Sequence, residues 1–389
     1  MPKEPKQRQD DNIPPPPQNN PRQCHFWVKR KSTVYEDELQ THLRKCNARP
    51  LPKQPYFSLD INCTLASSDS HVKIALSELP KEELDTLIKK IEQWYDLLVP
   101  EIQTSILDHP VLQKKMETLK NAKHAIQQAS LLGHMEKLSL LPKDGCFIEF
   151  GAGKGELSRF VQAAVADDGS AAFILVDRKN MRLKFDSNIR AASDSSAVRR
   201  IWSDIKDLDL SKIDLIENKN VIAFSKHLCG SATDVTLKAL VNLAKSTNHG
   251  SNNPVTGILI ALCCHQLCRY YMYPYQEYLN ETGITPRDFA CMCAMSSWAI
   301  CGQRSKNDGD GDDDHDYNDR DCVYEDDNIG AHYSGLGHSE REILGYKCKR
   351  ILDMGRVRYL EANGFQSYLV YYVDSLVSLE NVALLAIQQ

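Results

Sequence analysis

The feature that most constrains the fold is a short apolar stretch that runs directly into a glycine-rich turn, CFIEFGAGKGE at residues 146–156. Residues 147–150 have the length and character of a buried strand, and a helical pattern starts near Gly155. Glycines let a backbone approach a ligand closely, and the first turn of a helix leaves N–H groups that can face it. The segment therefore predicts a ligand-binding loop at the end of a strand.

The spacing of the glycines indicates the class of ligand. A dinucleotide-binding turn has the pattern G-x-G-x-x-G, whereas here Glu156 stands where its third glycine would be. The closer spacing suits a nucleoside that carries an amino acid and no pyrophosphate. Asp177 ends the next predicted strand, where a carboxylate can bind a ribose diol. We therefore predict an S-adenosylmethionine site, whose residues are Glu149, Gly151, Gly153, Gly155 and Asp177.

A further acidic residue leaves two alternatives open. Asp204, in the segment WSDIKDLDL, follows a third predicted strand. At that position it can contact the adenine side of the same ligand, or it can be a solvated loop carboxylate.

Beyond residue 141, short apolar strands alternate with helices. Strand-length runs occur at 147–150, 173–176, 198–202, 221–224 and 257–262. A last helix, capped by Ser339, precedes two β segments at 367–373 and 382–388. This alternation is typical of a largely parallel sheet covered on both faces. We predict an α/β fold with a Rossmann-like, seven-stranded methyltransferase sheet.

Four segments are predicted along the chain. Residues 1–23 are a polar, Pro-rich disordered tail, and residues 24–50 form a small zinc-finger-like module. Residues 51–141 are a linker and helical region, with one helical run over 111–131. Residues 142–389 form the methyltransferase domain, with an acidic disordered insertion at about 303–330.

Charge and cysteine content limit the functional classes. The net charge of −5 arises from segregated charge, because residues 308–327 hold 11 acids against one arginine while residues 1–53 hold 11 Lys and Arg against 6 acids. The overall acidity therefore does not exclude a nucleic-acid substrate. No apolar run is long enough for a membrane span, and the polar N-terminus does not resemble a secretory signal. With thirteen cysteines, we expect a reducing compartment, cytoplasmic or nuclear.

Candidate catalytic residues follow the fourth predicted strand, in SKHLCGSATD at residues 225–234. The carboxyl ends of strands border the active site in open α/β sheets. Lys226 or His227 can therefore accept a proton from a hydroxyl group near the methyl donor. A lysine base would need a lowered pKa, whereas a histidine would not. The sequence leaves the choice between them open.

Two groups of cysteines and histidines raise the question of zinc. Cys263, Cys264, His265 and Cys268 follow the fifth strand. Adjacent cysteines at a strand end are expected to point in opposite directions, which favours a lining of the substrate side over a zinc site.

The second group comprises Cys24, His25, His42 and Cys46. His42 and Cys46 lie four residues apart on a predicted helix over 34–46 and share one face. Cys24 and His25 are adjacent in the sequence, so it is difficult for both to complete a tetrahedral site with that pair. Zinc binding here is an open alternative.

Taken together, these segments resemble one family, the eukaryotic tRNA ribose 2′-O-methyltransferases that modify the fourth nucleotide of the acceptor stem. The resembling motifs span most of residues 24–389 and include CHFWVKRK, TVYEDELQTHLRKCN, IEFGAGKGELSR, SKHLCGSATDVTL, ALCCHQLCRY and MSSWAICG. That family normally begins with two small zinc modules. Here CHFWVKRK runs directly into STVYEDELQTHLRKCN, with Ser32 where a histidine is expected. The resemblance thus implies a shortened zinc region, for which we expect weak or no zinc binding.

The resemblance implies methyl transfer from S-adenosylmethionine to the ribose 2′-hydroxyl of nucleotide 4 of a tRNA. One alternative is methylation of pyrimidine carbon five, with Cys229 or Cys263 as the nucleophile. Another is an RNA-binding adaptor without catalytic activity that keeps the fold. The intact glycine turn favours an enzyme over the adaptor.

Overall fold

The computed structural model describes residues 21–23, 33–35, 40–41, 54–63, 74–165, 170–178, 185–192, 197–246, 254–300 and 332–389. The chain forms two compact units, Met1–Gln54 and Pro55–Gln389. In the described parts of the chain, none of the helices combines the length and the apolar character that a membrane span needs.

The first unit contains a two-stranded antiparallel ladder. Strand β1 (Pro21–Gln23) pairs with β2 (Thr33–Tyr35), with Arg22 opposite Val34. These two strands differ from two of the sequence predictions. The segment predicted as a disordered tail ends in a strand at residues 21–23, and the start of the predicted helix over 34–46 belongs to β2. Gln40 and Thr41 are helical, as predicted.

Where the structure describes the predicted helical region, it contains three α-helices: α1 (Lys81–Leu98), α2 (Pro110–Thr118) and α3 (Lys123–Lys137). The run predicted over 111–131 is broken, because Leu119 has an extended backbone and ends α2. Asn121 then accepts a hydrogen bond through its side chain from the Lys123 amide at 3.1 Å, just before α3. Such a local side-chain bond competes with a continuous helix.

The second unit is built on one mixed sheet. Its strands are β3 (Gln103–Thr104), β4 (Cys146–Phe150), β5 (Ala172–Asp177), β6 (Val198–Trp202), β7 (Val221–Cys229), β8 (Val255–Cys263), β9 (Phe365–Tyr371) and β10 (Val382–Gln388). Within the described residues their order is β3-β9-β10-β8-β7-β4-β5-β6. Strands β4 to β8 are mutually parallel, and β10 runs antiparallel to both β8 and β9.

This sheet has eight strands, where seven were predicted. The additional strand, β3, lies in the helical region and pairs with only Val370 and Tyr371 of β9. Two residues are too few to produce a periodic apolar pattern, so the strand left no signal in the sequence.

Both faces of the sheet are covered. Alternate residues of β4 point to opposite faces, and Phe147 and Ile148 belong to two separate hydrophobic clusters. The covering helices after β4 are α4 (Glu156–Val165), α5 (Asp186–Ala192), α6 (Ser231–Ala244), α7 (Gln276–Glu281), α8 (Pro286–Met295) and α9 (His338–Glu361). The parallel portion is therefore buried on both sides, as its continuous apolar strands predict.

Helix α9 starts two residues earlier than predicted. Its N-cap is Gly337, whose amide donates to the Glu340 carboxylate at 2.8 Å. Ser339 therefore lies inside the first turn and is not the cap. Gly364 follows the helix with a φ of +85°, consistent with the predicted stop.

Candidate active site

The glycine turn after β4 has three left-handed residues. Gly151, Gly153 and Gly155 have φ values of +65°, +50° and +77°. A Cβ atom at Gly151 would lie 2.6 Å from the carbonyl oxygen of His227, and one at Gly155 would lie 2.6 Å from Leu175. At Gly153 no atom lies within 4 Å of that position. Two glycines therefore allow close packing, and the middle one faces open space.

Glu149, near the end of β4, stabilises this turn by binding the first part of helix α4. Its carboxylate is buried and accepts hydrogen bonds from the backbone amide of Ser158 at 3.1 Å and from its hydroxyl at 2.5 Å. Burial raises the pKa of Glu149 to about 7, although the Ser158 bonds act in the opposite direction. These contacts join the end of β4 to the start of α4.

Asp177 lies beside the turn, at the end of β5. Its Oδ2 accepts a hydrogen bond from the Gly153 amide at 2.8 Å. Arg200 binds the same residue from its other end, donating to the Gly153 carbonyl in the next peptide group at 2.9 Å. Arg200 is itself held by Asp186, with two bonds of 2.8 and 2.5 Å between nearly buried side chains. Gly153 and Asp177, predicted from separate motifs, are thus in direct contact.

Asp204 lies beyond β6 and has contacts of its own. One oxygen accepts from the Lys206 amide at 3.2 Å and caps a short 3-10 helix. The other lies 3.6 Å from Arg178 in a partly exposed ion pair. These contacts fit a loop carboxylate, and a role on the adenine side stays a prediction.

Lys226 and His227 occupy a bulge in β7. In the β7–β8 ladder Ser225 pairs with Ile260 and Leu228 with Leu262, so two residues of β7 lie opposite the single residue Ala261. A bulge interrupts the regular alternation of side chains and can re-aim them towards a site. Lys226 is buried here, whereas His227 is exposed.

The amine of Lys226 contacts helix α3, which comes just before β4 in the chain. Its Nζ lies 2.8 Å from Nδ1 of His124 on α3. The rings of His124 and His227 lie edge to face, with centroids 6.2 Å apart. Burial lowers the pKa of Lys226 to about 7. About half of Lys226 is therefore neutral near pH 7, and the neutral amine can accept a proton.

A neighbouring ion pair contributes to this environment. Lys115 of α2 lies 2.7 Å from Glu156, the first residue of α4, and Gln128 donates to the same carboxylate at 3.1 Å. Glu156 raises the pKa of Lys226 and Lys115 lowers it. Because Lys115 and Glu156 form an ion pair, their opposite charges partly cancel in their effect on Lys226.

The group Cys263, Cys264, His265 and Cys268, which the sequence places after the fifth strand, is divided between two places in the structure. The sulfurs of Cys263, Cys264 and Cys229 all lie within 4.8 Å of one another. The expectation that adjacent cysteines diverge is wrong here, because Cys264 has a left-handed backbone with φ +53° and ψ +43°. His265 is buried against Asp353 at 2.7 Å, and Cys268 accepts from Arg356 at 3.1 Å. The last two therefore face a different part of the core.

The N-terminal candidate zinc ligands, Cys24, His25, His42 and Cys46, lie outside the described residues, as does the predicted acidic insertion. Zinc binding by these four residues stays a prediction.

Sequence reasoning missed three residues that the fold brings to the site: Lys115, His124 and Arg200. Arg200 had a detectable signal, because charged residues are unusual inside a strand of a covered parallel sheet. Lys115 and His124 lie on helices whose sequences carry no local motif, so only the tertiary fold reveals their positions.

Comparison with known proteins agrees with the family resemblance. The sequence pattern of the family Methyltransferase TRM13 matches residues 126–387. A mouse protein, tRNA:m(4)X modification enzyme TRM13 homolog, is 36% identical over 408 residues, covering 92% of this chain and 84% of its own. The tRNA:m(4)X modification enzyme TRM13 of Schizosaccharomyces pombe is 38% identical over 375 residues, covering 92% and 93%.

Among solved structures, a similar chain is the plantazolicin methyltransferase BpumL in complex with a desmethyl analogue and SAH. The match covers 80% of this chain and 100% of that one, with 8% sequence identity and a TM-score of 0.32. So low a score carries no argument about this chain.

Proposed function

The chain belongs to the Methyltransferase TRM13 family, and from that premise we propose that it methylates tRNA. The reaction that we propose transfers a methyl group from S-adenosylmethionine to the ribose 2′-hydroxyl of nucleotide 4 in the acceptor stem. Support for the substrate comes from the relatives, which are named as tRNA:m(4)X modification enzymes. Support for the chemistry comes from the lysine in the β7 bulge.

The glycine turn and Asp177 fit S-adenosylmethionine. Open space at Gly153 leaves room for a ligand against the backbone, and a side chain there would project into that space. The Asp177 carboxylate lies at the carboxyl end of β5, where ribose-binding acids occur in α/β sheets. Gly151, Gly153, Gly155 and Asp177 would hold the group, with Glu149 and Arg200 keeping the turn in shape. When bound, S-adenosylmethionine supplies an electrophilic methyl group.

The single observation that carries the proposal is the buried amine of Lys226 beside His124. A ribose hydroxyl is a weak acid and must lose its proton as it is methylated. Lys226, with a pKa lowered to about 7 by burial, can accept this proton near neutral pH. We therefore assign Lys226 as the base, and His124 as the residue that positions it. His227, exposed at the same bulge, would contact the incoming nucleotide.

The carbon-five alternative requires a reactive thiolate. The neighbouring thiols of Cys229 and Cys264 and burial all raise the pKa of Cys263 well above its ordinary value. A thiol in this environment is a poor nucleophile, which favours the hydroxyl as acceptor.

The experiment is methyl transfer to a matched pair of tRNA substrates, one of them lacking only the 2′-hydroxyl at nucleotide 4. We expect transfer to the unmodified tRNA, with mass mapping placing the methyl group on that ribose, and none to the 2′-deoxy substrate. Transfer to both substrates would show that the acceptor is another atom and would overturn the proposal.

A further inference from the structure

Three cysteine sulfurs meet at the carboxyl ends of β7 and β8. Cys229 is the last residue of β7 and pairs in register with Cys263, the last residue of β8. Their sulfurs are 3.9 Å apart, and the sulfur of Cys264 completes a group in which all pairs lie within 4.8 Å. All three residues are half-buried, so the group can be reached from solvent.

The third sulfur reaches this group through an unusual backbone. An extended residue after Cys263 would place its side chain on the opposite face of the sheet. The left-handed conformation of Cys264 instead returns its sulfur to the same side. This conformation is strained for a non-glycine residue and persists only where the surroundings enforce it.

The surroundings here are an ion pair between a buried lysine and a half-buried glutamate. The amide of Cys264 donates to one oxygen of Glu380 at 3.2 Å, and the other oxygen accepts from the buried Lys349 amine at 2.8 Å. Glu380 lies between β9 and β10, and Lys349 lies on α9. Two separate elements therefore hold the turn that presents the third thiol.

The sulfur geometry matches a thiophilic metal. With a zinc–sulfur bond of ~2.3 Å, two ligands of a tetrahedral site are roughly 3.8 Å apart, and the Cys229–Cys263 separation is 3.9 Å. We propose that Cys229, Cys263 and Cys264 bind one zinc ion as three thiolates, with the fourth position open to water. Each thiol gives its proton to solvent on binding, and the metal supplies the positive charge that stabilises the thiolates.

A bound ion would tie the ends of two adjacent strands. Cys229 lies two residues beyond His227, so the ion would fix the C-terminal side of the bulge that carries Lys226. The proposal concerns metal content and does not depend on the substrate or the methylation chemistry.

The test is metal analysis of the full chain in a C24S/C46S background, which removes the N-terminal candidate ligands. We expect about one zinc per chain, retained in Cys63→Ser and lost in Cys263→Ser. Cys63 is a suitable control because its half-buried thiol lies elsewhere, beside Asp60. Zinc retained in Cys263→Ser would overturn the proposal.

A second measurement uses the background protein alone, so it does not depend on how a cluster variant folds. Titration with Co²⁺ should produce near-ultraviolet thiolate-to-cobalt charge transfer and a visible band of tetrahedral intensity at one equivalent. No charge-transfer band, or a Cys229–Cys263 disulfide found by mass spectrometry of the untreated protein, would show that the cluster does not hold a metal.

Discussion

Lys226 combines burial, a histidine neighbour and a nearby ion pair, and its protonation state should control the rate of methyl transfer. Its pKa is lowered to about 7 by burial, so the ammonium form dominates below pH 7 and the amine above it. We expect single-turnover rates to rise between pH 6 and pH 8 and then level off. Lys226→Met should lose activity by about 10²-fold.

Lys226→Arg is the informative companion variant, since arginine keeps the charge but stays protonated at all these pH values. Activity near the wild-type level in either variant, with the same pH profile, would exclude Lys226 as the base.

Lys115 should influence the reaction without contacting the substrate. It lowers the pKa of Lys226 and pairs with Glu156, which raises that pKa. Lys115→Met removes the cation and leaves the carboxylate without its lysine partner, so the midpoint of the pH–rate profile should move to higher pH while the plateau rate is kept. Lys114→Met, on the exposed neighbour, is the control and should leave the midpoint unchanged. Identical profiles for the two variants would mean that Lys115 only stabilises the fold.

Two glycines of the turn should fail in different ways when they are substituted. In Gly153→Val the new side chain would meet no atom within 4 Å but would be strained by the left-handed backbone, so we expect some loss of stability and, in the protein that folds, greatly reduced S-adenosylmethionine affinity. Gly151→Ala would place a methyl group 2.6 Å from the His227 carbonyl and should lower both the melting temperature and the rate. Calorimetry and thermal unfolding separate the two effects. Unchanged affinity in folded Gly153→Val would remove the glycine turn from the cofactor site.

At the scale of elements, a buried charge network joins helix α9 to helix α6 and to the segment that follows β8. Asp353 lies 2.7 Å from His265 and 2.9 Å from Arg356, which also pairs with Asp234 at 2.8 Å. Burial raises the pKa of Asp353, but His265 and the arginines outweigh it and hold that pKa well below its ordinary value. The carboxylate is therefore charged in the fold.

Replacing this carboxylate leaves buried donors without their partner, which costs about 3–5 kcal/mol in comparable pairs. Asp353→Asn should lower the free energy of unfolding, measured in urea at pH 7, by about 3 kcal/mol or more. Glu361→Gln breaks the exposed pair with Arg358 at the end of the same helix and should cost less than about 1 kcal/mol. If the two variants lost the same free energy of unfolding, burial would not strengthen the interactions of Asp353.

The strands were largely predictable because buried parallel strands are continuous apolar runs. The predictions for 198–202 and 382–388 coincide with β6 and β10. Strand β7 extends five residues beyond the predicted 221–224, since its polar end Ser225–Cys229 continues the ladder without an apolar signal. Strand β3 depends on tertiary pairing with β9, and the break between α2 and α3 depends on one side-chain hydrogen bond. The periodicity of apolar residues in the sequence indicates neither of them.

For the whole molecule, segregated charge predicts the effect of a deletion. Residues 308–327 carry a net charge of −10, and so acidic a segment cannot pack in a core. Removing it should preserve folding and methyl transfer, and should tighten tRNA binding roughly threefold at low salt, with less effect at high salt. Binding titrations at two salt concentrations are the measurement. Loss of folding in the deletion variant would show that the segment is structural.

The candidate site could be predicted only in part, because it joins distant positions. Each residue proposed for the cofactor site lies at, or within five residues after, a strand end that the sequence identified. By contrast, His124 reaches Lys226 across 102 residues of sequence, and the predicted domain boundary at residue 142 would separate them. Local patterns locate strand ends; they do not reveal which earlier helix packs over those ends.

The short strand β3 has a consequence for self-association. It covers β9 at Val370 and Tyr371, and the Ser105 amide continues the contact by donating to the Tyr371 carbonyl at 3.0 Å. A chain reduced to the family-matching residues 126–387 would lose this cover and present the end of β9 as an unpaired edge. Unpaired edges recruit strands from other molecules. We therefore expect residues 103–105, by covering the end of β9, to oppose aggregation through that strand.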